Sequence, residues 1–314
     1  MLPLIVLVGP TAVGKTHLGV ELALRLGGEI ISGDSMQVYR YMDIGTAKIK
    51  PSEMRGVAHH LIDIKDPDEP FSVAEFQKLA TQKIAEISAR GKLPMIIGGT
   101  GLYIQAVIDP YEFTKQPAVS GYRKKLQSLA QRYGHKYLHE KLAEVDPAAA
   151  GNIHENDFKR ITRALEYYHV TGGKRISENK VVKTKKLPEK YNLVWLGLTM
   201  ERQDLYQRIG QRADQMMEEG FVAEVENLLQ RGYSPGLSSL QGIGYRQLIG
   251  YLQGQYDLAE AVELIKRDTR HFAKRQLTWF KRDPRIHWFN KEGLEKNLFE
   301  IMAIIGRTIN ISVE

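Results

Sequence analysis

Gly9-Pro10-Thr11-Ala12-Val13-Gly14-Lys15-Thr16 is the stretch from which the architecture of this chain can be read. It fills every fixed position of the phosphate-loop pattern G-x-x-x-x-G-K-[ST], and its flanks are those the pattern requires. Upstream, Leu4-Ile5-Val6-Leu7-Val8 is an unbroken apolar run of the kind that forms a buried parallel strand. Downstream, Leu18, Leu22, Leu24 and Leu26 recur near helical spacing, and Gly27-Gly28 supplies a stop. In that setting the backbone N–H groups of Gly9, Thr11, Ala12, Val13 and Gly14 close around a phosphate at the positive end of the helix. Lys15 neutralises the outer phosphate oxygens, and the Thr16 hydroxyl holds Mg²⁺. Loops of this type bind ATP and other nucleotides. The loop does not by itself say whose phosphates it takes.

Working outward, Glu29-Ile30-Ile31-Ser32 reads as a second strand that runs to Asp34, and Leu61-Ile62-Asp63-Ile64 as a short third. Ser72-Val73-Ala74-Glu75 has the form of a capping box and opens a helix carrying Phe76, Leu79, Ile84 and Ile87. Leu93-Pro94-Met95-Ile96-Ile97 is another buried strand, leading into Gly98-Gly99-Thr100-Gly101. The alternation predicts an α/β fold: a P-loop NTPase-like parallel sheet flanked by helices, with ligands gathered at the carboxyl ends of its strands. The phosphate loop, Asp34 and Thr100 each follow a strand and are therefore expected to converge.

From Lys115 to Lys190 the pattern turns helical, over Tyr122 to Tyr133, Lys136 to Val145 and Asp157 to Thr171. Strand character resumes at Leu193 to Leu198; amphipathic helices follow, notably Leu258 to Arg282, then a last strand at Ile286 to Phe289. The expected organisation is a catalytic core of residues 1–114 and 191–314 interrupted by a helical, basic insertion at 115–190. The insertion holds seventeen Lys/Arg against eight Asp/Glu, an excess larger than the net +7 of the whole chain. Positive charge confined to one insert points to a polyanionic partner. The absence of Cys excludes disulfides, thiolate zinc sites and cysteine nucleophiles. No apolar run approaches the ~20 residues of a membrane span, and no charged leader precedes the first strand. A cytoplasmic protein with no membrane partner is expected.

Hydrolysing phosphate-loop proteins place an acid after a later hydrophobic strand; here that strand leads into Gly-Gly-Thr-Gly. The acid at a strand end is Asp34, which could take a proton from an incoming nucleophile or could simply cap the next segment. Thr100 is a candidate at the same centre or an ordinary turn residue. Arg208 and Arg212, one helical turn apart, could reach phosphate or form an exposed helix face. These residues support transfer from a phosphorylated donor. They leave open a small-molecule kinase, a nucleotide-switched regulator, and a transferase that releases diphosphate.

The phosphate loop, then Ser32-Gly33-Asp34-Ser35-Met36-Gln37-Val38-Tyr39, Met42-Asp43-Ile44-Gly45-Thr46-Ala47-Lys48 and Gly98-Gly99-Thr100-Gly101-Leu102-Tyr103 resemble successive motifs of the tRNA dimethylallyltransferase (isopentenyltransferase) family. So do Arg160-Ile161-Thr162-Arg163-Ala164-Leu165-Glu166, Gly242-Ile243-Gly244-Tyr245-Arg246 and Ala273-Lys274-Arg275-Gln276-Leu277-Thr278-Trp279-Phe280. The likeness runs in order from residue 9 to residue 282; Glu155 stands where the family commonly has Pro, which should alter the entry to the following helix. The resemblance implies transfer of a dimethylallyl group from dimethylallyl diphosphate to N6 of adenosine 37, in the anticodon stem-loop of tRNA. It implies that the loop, with Lys15 and Mg²⁺ on Thr16, holds the prenyl diphosphate in place of ATP; Arg208 and Arg212 are further candidates for the diphosphate if they do not form an exposed helix face. Asp34 would accept the N6 proton, and Thr100 would fix the flipped nucleotide or the departing diphosphate. Ser35, Met36 and Gln37 would line the pocket of the extruded base, with Gln37 reading the adenine edge. Arg123, Lys159, Arg160 and Arg163 would hold RNA phosphates, and Gly242, Tyr245 and Arg246 would make a second contact unless Tyr245 merely packs. A monomer is expected.

Overall fold

The computed structural model describes residues 1–109, 120–178 and 190–309. Its elements, in chain order, begin with β1 (Leu2–Val8), α1 (Lys15–Leu26), β2 (Gly28–Ser32), α2 (Pro51–Met54) and β3 (His59–His60). Next come α3 (Val73–Ala89), β4 (Leu93–Gly98), α4 (Gly101–Ile108), α5 (Ser120–Val145), α6 (Pro147–Asn152) and α7 (Phe158–Val170). The chain continues with β5 (Tyr191–Thr199), α8 (Arg202–Glu218), α9 (Phe221–Gln230), α10 (Tyr245–Leu252) and α11 (Leu258–Phe280). It closes with β6 (His287–Asn290) and α12 (Leu294–Ile309). Two compact units result, Met1–Asp109 with Glu189–Glu314, and Pro110–Pro188. The expected edge at residue 115 lies outside the described residues.

The first unit is built on a six-stranded sheet in the order β3-β2-β4-β1-β5-β6, parallel at every pairing. Its central strand is the apolar run that precedes the phosphate loop, and Leu4 to Val8 are almost wholly buried. Alternate side chains of β1 serve opposite layers: Ile5 and Leu7 pack with α1 and α12 residues, Leu4 and Val6 with Phe76, Ile84 and Ile104. The chain runs from β1 to one side for β2, β3 and β4, then crosses to the other side of β1 for β5 and β6. The crevice beyond the carboxyl end of β1 is thus the switch point where an open parallel sheet binds ligands. The capping box at Ser72 is half-formed, the Oγ accepting the Glu75 N–H at 3.2 Å.

The third strand differs from expectation. It is His59–His60, pairing with Ile30 and Ile31, and the segment expected to be extended turns instead. Leu61 and Asp63 have φ of +61° and +55°, which brings Leu61 down into the layer of Phe76. Apolar alternation over four residues could not reveal that turn.

The second unit is helical over its described residues. α5 is broken at Gly134, as the two expected helices require, and Leu126, Leu138 and Leu142 pack against Ile161, Ala164 and Leu165 of α7. Asp157 caps α7, accepting the Arg160 N–H at 3.2 Å, while its own N–H bonds to the His154 carbonyl at 2.8 Å. Glu155 sits inside that turn, so the entry to α7 is set by the Asp157 cap. Lys159, Arg160 and Arg163 lie on the exposed face of α7, with Arg160 in loose contact with Asp157 at 3.5 Å. Arg123 is engaged: its Nε and Nη2 each lie 2.6 Å from the carboxylate of buried Glu166. A guanidinium so held can still present its outer edge, but its first role is to neutralise that acid.

Candidate active site

Three turns, after β1, β2 and β4, meet at the crevice. The first is the phosphate loop. Gly9 is there because nothing larger fits: its φ is +152°, and a Cβ would lie 2.3 Å from the Leu198 carbonyl of β5. Lys15 opens α1 and folds back to donate from Nζ to the Pro10 carbonyl at 2.6 Å. The second turn carries Asp34, whose Oδ1 accepts the Met36 N–H at 2.8 Å. The third carries Thr100, whose Oγ1 accepts the Ser35 N–H at 3.1 Å. Main-chain bonds lock the second and third together, Gly33 N–H to Ile97 at 2.8 Å and Thr100 N–H to Gly33 at 3.2 Å.

The turns border a cleft of about 670 Å³ lined by Thr11, Lys15, Thr16, Asp34, Arg208 and Arg212 among others, a size suited to a small ligand. α8 brings the two arginines in from a distant part of the chain. Arg208 Nε donates to the Ala12 carbonyl at 3.0 Å, and Arg212 Nη1 approaches Thr11 Oγ1 at 3.5 Å. Both therefore face the loop. Two carboxylates line the cleft, Glu53 and Asp34. Glu53 is exposed and caps its own helix by accepting the Lys50 N–H at 2.9 Å.

Asp34 faces the cavity with part of its surface yet is crowded by protein elsewhere. Burial pushes its pKa up, against the Met36 N–H and the attraction of Lys15 and Arg212. The same burial, reinforced by repulsion from Arg212, brings Lys15 down to about 7. Burial likewise lowers Arg212. Lys15 and Arg212 beside one partly desolvated carboxylate make a site that gains from a polyanion, which favours the protonated form of Lys15.

The segment from Asp34 to Lys50 lies over this centre and is tied down at several points. Gln37 accepts from Ser32 Oγ at 2.8 Å and donates to the Thr46 and Ala47 carbonyls at 3.4 and 3.3 Å. To read an adenine edge its carboxamide would have to exchange those partners. Glu224 takes the N–H groups of Asp43, Ile44 and Gly45 at 2.9, 2.7 and 3.1 Å, and Tyr245 Oη donates to it at 2.6 Å. Tyr245 is 1% exposed and packs edge-on against Phe221, so the packing alternative for this residue is the one observed. Gly242 lies against Met36, a Cβ there falling 3.0 Å from its Cε. Arg246 is paired to Asp268 at 2.6 Å.

Sequence reasoning missed Gln276 and Glu224. Gln276 on α11 accepts the Thr11 N–H at 2.8 Å and donates to the Gly99 carbonyl at 3.0 Å. The signal that could have found it is its position on the buried stripe Ala273-Gln276-Phe280. A polar residue on such a stripe has a buried partner to satisfy. Glu224 carried no comparable signal, since an acid in the first turn of a helix is ordinary.

A phosphate loop facing a single inner carboxylate, with arginines from a later helix over its mouth, defines a P-loop-type group-transfer site. The IPP transferase family model matches residues 37–283. A tRNA dimethylallyltransferase of Heliobacterium modesticaldum is 54% identical over 302 residues, covering 95% of this chain and 94% of its own length. That of Carboxydothermus hydrogenoformans is 54% identical over 305 residues, covering 96% and 97%. Among solved structures, a tRNA isopentenylpyrophosphate transferase of Bacillus halodurans superposes with a TM-score of 0.73 at 47% identity over 99% of each chain. A eukaryotic dimethylallyltransferase acting on tRNA reaches 0.80 at 28% identity, covering 100% of this chain and 81% of its own. The chain belongs to the IPP transferase family. Among the described residues no helix is long and apolar enough to cross a membrane.

Proposed function

We propose that this protein transfers a dimethylallyl group from dimethylallyl diphosphate to N6 of adenosine 37 in tRNA, releasing diphosphate. The observation that carries the reading is Asp34, a desolvated carboxylate facing Lys15 at the mouth of the phosphate loop. A kinase or hydrolase would place its acid after β4, where this chain has Gly98-Gly99-Thr100. The bond from the allylic carbon to the bridging oxygen breaks, and a bond from that carbon to N6 forms. The diphosphate keeps the electron pair of the broken bond, and the N6 proton passes to Asp34 Oδ. Lys15, Arg208, Arg212 and the loop N–H groups other than that of Thr11, which Gln276 holds, stabilise charge on the leaving group.

The donor set fits Mg²⁺ of the kind held jointly with phosphate. The Thr16 hydroxyl stands at the head of α1, and among the described residues no group of three acidic or histidine side chains forms a cage. Such a site uses few protein ligands plus phosphate oxygens and water. When bound there with diphosphate, Mg²⁺ supplies further neutralisation of the leaving group. Thr16 would hold it.

Adenine must leave its stack to reach Asp34, and Ser35, Met36 and Thr100 stand nearest to receive it. Lys159, Arg160 and Arg163 on the exposed face of α7 supply backbone contacts, with Arg123 and Arg246 as further cations and Gly242 beside Met36. The protein acts as a monomer in the cytoplasm.

Purified protein given Mg²⁺, unmodified tRNA and labelled dimethylallyl diphosphate should incorporate label into tRNA, while labelled ATP in a parallel tube should not transfer phosphate. Phosphate transfer without prenylation would overturn the reading. Arg160→Ala with Arg163→Ala should weaken tRNA binding and lower the slope of log affinity on log salt by roughly one per arginine. Titration at several salt concentrations checks this, and an unchanged slope would move the RNA to another surface.

A further inference from the structure

Among the described residues, the carboxamide of Gln276 is the side chain hydrogen-bonded to both the phosphate loop and the turn after β4. The residue is 5% exposed. Its Oε1 accepts from Thr11 N–H and its Nε2 donates to Gly99 O, so only one orientation of the amide satisfies both partners. Gly99 makes the approach possible, since a Cβ there would lie 2.1 Å from Nε2. Thr11 also lies beside Arg212, and the residue after Gly99 is Thr100, bonded in turn to Ser35. Sheet pairing aligns the two strands only as far as Val8 and Gly98. Beyond that, among the described residues, the buried Gln276 amide bonds both the loop that grips the leaving group and the turn that carries Thr100.

We propose that Gln276 is a positioning residue, setting the distance between the leaving diphosphate and the centre where the acceptor amine loses its proton. The proposal rests on the reaction read above. Gln276 leaves the other loop N–H groups free for the anion, so its removal affects alignment more than grip. A misplacement of about 1 Å in such a centre costs roughly 10²-fold in rate. Gln276→Met keeps the volume and deletes both bonds. Gln276→Glu keeps the acceptor for Thr11, but its second oxygen faces the Gly99 carbonyl and makes the bond only when protonated. Burial raises the pKa of such an acid.

Steady-state kinetics with tRNA and dimethylallyl diphosphate are expected to show kcat of Gln276→Met down roughly 10²-fold, with KM for the diphosphate within a few-fold of wild type. The activity of Gln276→Glu relative to wild type at each pH should rise as pH falls, a rescue that a folding defect cannot imitate. A raised KM with unchanged kcat, or a lowered Tm with normal kinetics, would overturn the proposal. Amide hydrogen exchange keeps the two readings separable. Slow exchange at Thr11 that becomes fast in Gln276→Met, at unchanged circular dichroism, upholds the link even if the wild type fails to prenylate RNA; equal exchange in both sinks it.

Discussion

Asp34→Asn should lower kcat for prenyl transfer by roughly 10³-fold, within the span attributed to a general base, while tRNA affinity stays within a few-fold. Asn is the informative replacement because its Oδ1 can still accept the Met36 N–H, the bond that shapes this turn. The turn survives and only the proton acceptor is lost. The pH profile carries a second check. Burial holds the Asp34 pKa above its ordinary value, and the ionised form is the working one. Activity should therefore fall as pH drops through that raised pKa, at a higher pH than an exposed aspartate would give. The acid limb should vanish in Asp34→Asn. Wild-type turnover in the variant, measured by label incorporation into tRNA, would remove Asp34 from the role of base.

Lys15→Met should weaken binding of dimethylallyl diphosphate and of inorganic diphosphate by roughly 10²-fold, the scale of a lost charge-assisted contact in a desolvated site. The lysine is brought to about 7 in the free protein, first by burial and then by repulsion from Arg212. Above that pH it is largely neutral until an anion arrives, and the anion raises its pKa. Wild type should accordingly take up more protons than Lys15→Met when it binds diphosphate at pH 8. Calorimetry in buffers of different ionisation enthalpy reads this number. Equal uptake in the two proteins would show that Lys15 does not change its protonation when diphosphate binds.

What the chain disclosed in advance were features written in contiguous residues. β1 and β4 are unbroken apolar runs because both faces of a central parallel strand are covered. Asp157 and Gly27 mark helix ends because capping is a local matter. That the turns after β1, β2 and β4 converge followed from parallel topology alone. The parts that stayed hidden depend on partners far along the chain. Nothing near Gln37 says that Thr46 and Ala47 hold its amide, and nothing near Arg123 says that Glu166 lies opposite. Tyr245 stays open between an RNA contact and a packing residue until Phe221 and Glu224 are seen around it. β3 was misplaced because two strand residues followed by a left-handed Leu61 leave no periodicity to detect.

The order in which the pieces are made gives the sheet topology a further meaning. The glycine loop leaves the ribosome long before the strand that completes its setting, for β1 keeps one edge open until Tyr191–Thr199 is synthesised. The arginines above the loop come later still, and Gln276 after them. A growing chain thus owns the most familiar part of its machinery long before it can use it. Competence arrives only when the stretch from Tyr191 to Phe280 folds back to complete what the glycine loop began.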